Sequence, residues 1–240
     1  MPGYELINFK EKRAIEKLFK NPINIIDKDK ISTFELKIKN WTKTKYCQVV
    51  TSGTAATKIA LKAVGVKSGD EVITQAFNFI ATVEAIHELG AKPILVNIDE
   101  SLNMDIHDLK KKISKKTTAI VPVHMLGVPC EMDEIIRISK KYKIPVVEDN
   151  CESFGGKYKG KHLGTIGDVG VLSFDGGKTI TTGEGGAIIT NNKKIYDYSN
   201  QYHDHGHENN PKLPRGMDTS SIAGFNYRFT QLQAVFGIEQ

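Results

Sequence analysis

The chain is predicted to be an α/β protein built on a mostly parallel central sheet, and three observations carry that expectation. Short apolar runs alternate with longer amphipathic segments from residue 46 to residue 202. The connections between them are short, as in units where each strand is followed by a helix packed back on the sheet. The residues with chemical potential fall just past the apolar runs, where open α/β sheets place their ligands. At 240 residues the chain can bury one large core, or one domain and part of a second.

The elements follow in order. Residues 8–20 place Phe9, Ile15, Leu18 and Phe19 on one helical face, ended by Asn21-Pro22. A second helix is expected from Ser32, with Glu35 three residues on as a capping box, carrying Phe34, Ile38 and Trp41. Tyr46 to Val50 reads as a strand, and Ser52-Gly53-Thr54-Ala55-Ala56 opens an apolar-periodic helix through Ile59, Leu61 and Val64. Strands are then expected at 71–74, 93–97, 118–122 and 145–148, with helices at 79–89, 105–114 and 131–142 between them. Residues 169–172 and 187–190 are two further strands, and 193–202 and 230–240 two further helices. The last of these runs to Gln240 without a terminal Gly or Pro, which suggests a piece of a longer chain.

Composition narrows the class. Hydrophobic residues at 40% and charged residues at 25% are ordinary for a soluble globular protein. The net charge of +5 comes from lysines scattered through helical segments such as 108–116, which reads as solvated faces and not as a nucleic-acid stripe. Cys47, Cys130 and Cys151 are odd in number and lack CxxC spacing, which argues for a reducing compartment and against a disulfide frame or a metal site. The N-terminus has no apolar signal core, and no apolar run is long enough to span a bilayer. A cytoplasmic location without a membrane partner is expected.

Four places carry candidate chemistry. In DVGVLSFDGGKTITTGEGG, residues 168–186, an apolar strand ends at Ser173 and a glycine loop presents Lys178. Burial frees a lysine amine for covalent chemistry, although any one of 33 Lys+Arg is by count more often a surface charge. The Ser52-Gly53-Thr54 junction is either an anion site at a helix N-terminus or an ordinary N-cap. Phe77 or Phe79 could stack on a planar ring or lie in the core. Asp149 follows a buried strand and needs a cation or a donor, which either a protonated ring nitrogen or the next segment could supply. His203, His205 and His207 alternate, but no acid or cysteine ligand set accompanies them, so a substrate or dimer-contact loop is preferred to a metal. An anion site, a stacking ring, an acid and an amine together suit a pyridine ring that bears a phosphate and an aldehyde.

SGTAA at 52–56, EDNCES at 148–153, SFDGGKTITTGEGG at 173–186 and GFNYRF at 224–229 resemble the DegT/StrS family of pyridoxal-phosphate sugar aminotransferases. The resemblance implies the large domain of the aspartate-aminotransferase-like fold (fold type I), an α/β/α sandwich working as a homodimer. Residues 1–240 would be that domain with an N-terminal helical segment, and the family's small C-terminal domain would be absent. Lys178 would hold the cofactor covalently and shuttle the proton, and Asp149 would pair with the ring N–H. Phe79 would stack on the ring, and Glu152 would lie by its hydroxyl. The backbone of Gly53, Thr54 and Ala55 with the Ser173 hydroxyl would take the phosphate, and Asn226 would reach the cofactor of the neighbouring subunit. Family members that dehydrate deoxysugars carry His at the position of Lys178, so lysine favours transamination over dehydration. The amino donor implied is glutamate. The 203–219 stretch resembles the branch that makes 8-amino-3,8-dideoxy-manno-octulosonate for lipopolysaccharide, with a nucleotide-linked ketosugar as the generic alternative. Two other readings stay open: a truncated cofactor-binding domain without turnover, and a lyase using Cys151.

Overall fold

The computed structural model describes residues 2–25, 28–210, 212–214 and 216–240. Its elements in chain order are α1 (Phe9–Leu18), α2 (Asp29–Thr42), β1 (Tyr46–Val50), α3 (Gly53–Ala63), β2 (Glu71–Gln75), α4 (Ile80–Glu88), β3 (Lys92–Val96), α5 (Ile106–Lys112), β4 (Thr117–Val121), α6 (Met132–Tyr142), β5 (Val147–Asp149), the hairpin β6 (Lys157–Tyr158) and β7 (Lys161–His162), β8 (Val169–Ser173), β9 (Gly186–Thr190), α7 (Lys193–Tyr202) and α8 (Gln231–Glu239).

Two hydrogen-bonded ladders, β3-β2-β4 and β5-β8-β9-β1, lie side by side through the parallel bridges Ile120–Val146 and Val123–Asp149. The strands thus run in the order β3-β2-β4-β5-β8-β9-β1. Only β9 is antiparallel to its neighbours. Its orientation has a simple cause: residues 174–185 contain no crossover helix, so the chain turns back beside β8.

Alternation along the strands shows the layers. Val72, Val171 and Ile188 pack into one core with Ile59, Ala60 and Ile86 of α3 and α4. Their neighbours point the other way. Ile73 meets Leu109 and Met132 of α5 and α6, while Leu172 and Ile189 meet Phe34, Ile38 and Ala234 of α2 and α8. The sheet is therefore buried on both faces, as parallel sheets require.

Differences from the sequence reading lie mostly in the N-terminal helices. The apolar face expected for α1 is only partly used: Leu18 is buried, but Phe9 and Phe19 are exposed. The N-cap is Asn8, in a capping box with Glu11. The second helix starts at Asp29 and not at Ser32, because a distant side chain caps it: Gln231 Oε1 accepts the N–H groups of Lys30 and Ile31 at 3.0 and 3.1 Å. Glu35 makes no capping box; its Oε1 accepts the Val49 N–H of edge strand β1 at 3.0 Å. Trp41 is exposed rather than part of a buried face. The β6–β7 hairpin, two residues a side, is a further addition.

Candidate active site

The carboxyl ends of β5 and β8, the N-terminus of α3 and the entry to α4 converge on one pocket of about 210 Å³. Its lining includes Ser52, Gly53, Thr54, Phe79, Thr82, Asp149, Cys151, Glu152, Ser173 and Lys178. That volume is below the roughly 300 Å³ at which pockets begin to hold a drug-sized ligand, so it suits one ring-sized group.

Asp149 closes one side. β5 delivers it there with 5% exposure. Both of its oxygens accept: Oδ2 from the Thr82 hydroxyl at 2.6 Å, and Oδ1 from the Cys151 N–H at 3.1 Å. Lys178 enters from the loop after β8. Its Nζ lies 3.6 Å from Glu152 Oε1 and 5.8 Å from the centre of the Phe79 ring. The loop is pinned at both ends of this residue: its N–H donates to the Asp175 carbonyl at 3.1 Å, and its carbonyl accepts the Gly3 N–H at 2.7 Å.

Opposite, Ser52 caps α3 by accepting the Ala55 N–H at 3.1 Å. Ala55 is thus already engaged and does not line the pocket, while Gly53 and Thr54 do. A Cβ on Gly53 would stand 2.9 Å from Ser173 Cβ and 3.1 Å from Cys151 Sγ, so only glycine lets the helix tip lie this close to β8. The Gly-Gly of GEGG has the same logic: a Cβ on Gly186 would meet the Ser52 carbonyl oxygen at 2.4 Å.

Of the candidate residues, Lys178, Asp149, Glu152, Phe79, Ser173, Gly53 and Thr54 therefore share one pocket. Phe77 does not line it. Asn226 lies outside it, exposed, and accepts the Arg228 N–H at 3.3 Å. Its segment is held firmly, since the Thr51 N–H donates to the Tyr227 carbonyl and the Tyr227 N–H to the His203 carbonyl, at 3.2 and 2.8 Å. The three alternating histidines do not converge. His203 is buried and contacts Gln48, His205 is exposed, and His207 faces Asp218 at 3.1 Å.

Sequence reasoning missed Thr82, which sits within the first turn of α4 and carries no local signature. Cys151 lines the pocket, but burial first, and the Asp149 carboxylate second, push its thiol well above the ordinary cysteine range. It is a protonated thiol near neutral pH and a poor nucleophile.

An open α/β sheet with one antiparallel strand, and a lysine, an acid and a helix tip gathered at its carboxyl edge, has the architecture of fold type I. Residues 7–240 match the DegT/DnrJ/EryC1/StrS aminotransferase family, and the chain belongs to it. GDP-perosamine synthase of Escherichia coli O157:H7 is 41% identical over 211 residues, covering 88% of this chain and 57% of that protein. Among solved structures, an aminotransferase from Psychrobacter cryohalolentis superposes with a TM-score of 0.89 at 31% identity, over 97% of this chain and 61% of that one. NtdA of Bacillus subtilis, solved with bound cofactor PMP, gives 0.88 at 31% identity, over 99% of this chain and 54% of that one. The chain thus spans less than two thirds of the length of each.

Proposed function

We propose that residues 1–240 form the cofactor-binding large domain of a cytoplasmic, pyridoxal-phosphate-dependent sugar aminotransferase. It would take its amino group from glutamate and pass it to a nucleotide-linked ketosugar used in surface polysaccharide. The observation that carries this reading is the convergence of Lys178, Asp149 and the α3 tip on one ring-sized pocket.

The residues present fit the cofactor. Glu152 Oε2 is buried and has no hydrogen-bond partner among the described residues, as expected of a group meant for a ligand hydroxyl. The Gly53 and Thr54 amides at the positive end of α3 line the pocket and would receive an oxyanion. When bound, pyridoxal phosphate supplies an aldehyde for amine exchange and a ring that withdraws electrons. Asp149, held by Thr82 and Cys151, would pair with a protonated ring nitrogen. Lys178 Nζ, 3.6 Å from Glu152 Oε1, would hold the aldehyde end and carry a proton. Phe79, which lines the pocket, would stack on one face of the ring.

The proposed acceptor follows the relatives named above, one of which is a GDP-perosamine synthase; the 8-amino octulosonate branch remains the narrower alternative. A homodimer is proposed because Asn226 is presented outward on a pinned segment, where a second copy could receive it. One rival reading is a cofactor-binding domain without turnover. Glutamate added to the protein loaded with pyridoxal phosphate separates the two. Conversion of the cofactor's visible band to the shorter-wavelength amine form supports the transaminase. A band that glutamate leaves unchanged supports the rival.

A further inference from the structure

Asp149 has an acidic neighbour in sequence, and the two side chains live in different worlds. Strand residues alternate faces, so Asp149 enters the pocket while Glu148 turns away from it into the interior, with 0% exposure. A buried carboxylate survives only if donors surround it, and Glu148 has four. Its Oε1 accepts the N–H groups of Ile166 and Gly167, both at 2.5 Å. Its Oε2 accepts the Gly164 N–H at 2.9 Å and lies 3.1 Å from His124 Nε2. The other ring nitrogen, Nδ1, is 3.2 Å from the Cys130 N–H, which can only donate. The imidazole proton therefore sits on Nε2 and is given to Glu148. His124 also grips the next residue through its backbone: its N–H donates to the Asp149 carbonyl at 3.0 Å, and its carbonyl accepts the Ser153 hydroxyl.

β5 needs such a grip. It is three residues long, its ladder with β8 spans those three, and on the other side it meets β4 and residues 122–124 through two bridges and single backbone bonds, so side chains share in setting its register. A slip of one residue in a strand exchanges its two faces. Here it would put Glu148 into the pocket and bury Asp149, one carboxylate replacing another with little to choose between them chemically.

We propose that Glu148 and His124 are positioning residues that lock the register of β5 and thereby select Asp149 as the acid of the pocket. The proposal deepens the cofactor-site reading and rests on it for the role of Asp149, while the lock itself is measurable without cofactor. His124→Phe removes the ring donor and leaves Glu148 its three backbone donors, so it is the milder perturbation. His124→Gln restores an amide donor and is the conservative rescue.

Two measurements on the full chain decide it. In the first, the Kd for pyridoxal phosphate is determined by titration for wild type, His124→Phe, Asp149→Asn and the double variant. The lock predicts about a tenfold loss for His124→Phe, recovered by His124→Gln to within about threefold, and no further loss when it is added to Asp149→Asn. Additive losses would mean that His124 acts elsewhere and would overturn the proposal. The second is hydrogen exchange of the 147–151 amides without cofactor, expected to speed up about tenfold in His124→Phe while α3 and β2 stay protected. Should wild type bind no pyridoxal phosphate, the function reading fails and the exchange result alone decides the lock: unchanged protection of 147–151 would overturn it.

Discussion

The Thr82 hydroxyl holds Asp149 at 2.6 Å, and a hydrogen bond to a charged group contributes about 1.5 kcal/mol, or roughly a factor of ten in affinity. Thr82→Val is therefore predicted to weaken pyridoxal phosphate binding about tenfold while leaving the visible band in place at saturation, as read by a fluorescence titration. Cys151→Ala keeps the backbone N–H that donates to Asp149. It is predicted to slow the glutamate half-reaction by less than about tenfold, as expected if the thiol has no chemical part; abolition of the reaction would contradict this. Lys178 and Asp149 were readable in the sequence because each stands just past an apolar run, and glycines mark the lysine's loop. Thr82 was not readable. A threonine in a helix near Phe79 has no local mark, and its partner lies 67 residues away.

At the scale of elements, the α3 tip and the α2–β1 seam make the sharpest predictions. Gly53→Ala would set a methyl group 2.9 Å from Ser173 Cβ, which forces the α3 tip and its amides away from β8. Overpacking of this kind costs about 1–3 kcal/mol, so a lower Tm and a loss of cofactor affinity greater than about tenfold are expected together. At the seam, burial raises the Glu35 carboxyl to about 7, partly offset by the Val49 N–H and by Lys39 and Lys28. A carboxyl raised on folding binds its proton more tightly in the native state. Its contribution is full below the unfolded value near 4.5 and is lost as pH rises through about 7. Glu35→Gln keeps an acceptor for Val49 and abolishes this titration. The variant is predicted to match wild type near pH 4.5 and to exceed it at pH 8 by about 2–3 kcal/mol, at about 1.4 kcal/mol per unit, in urea melts at the two pH values. The start of α2 was misread for a physical reason. Local rules point to Ser32 and Glu35, but the helix is capped by Gln231, some 200 residues away, and Glu35 is taken by the sheet edge.

For the whole molecule, strand and helix alternation was enough to foresee an α/β fold with a mostly parallel sheet, while the three-layer α/β/α arrangement followed only from the family resemblance. The reversed β9 and the strand order were not legible, since they depend on which apolar faces meet across the assembled sheet. The convergence of the site depends on that assembly too: Asp149, Lys178 and Gly53 come from three separate strand ends, brought together only when β8 lies between β5 and β9. If a second copy completes the site, Asn226→Ala is predicted to lower cofactor affinity about threefold to tenfold without changing the sedimentation coefficient. The central claim, that this fold brings Lys178 to the aldehyde end of the cofactor, has a direct chemical test. Borohydride reduction of the chain incubated with pyridoxal phosphate, followed by proteolysis and peptide mass spectrometry, locates the lysine that carries the reduced adduct. Stoichiometric labelling of the peptide containing Lys178 is expected; labelling of other lysines with Lys178 unmodified would contradict that role.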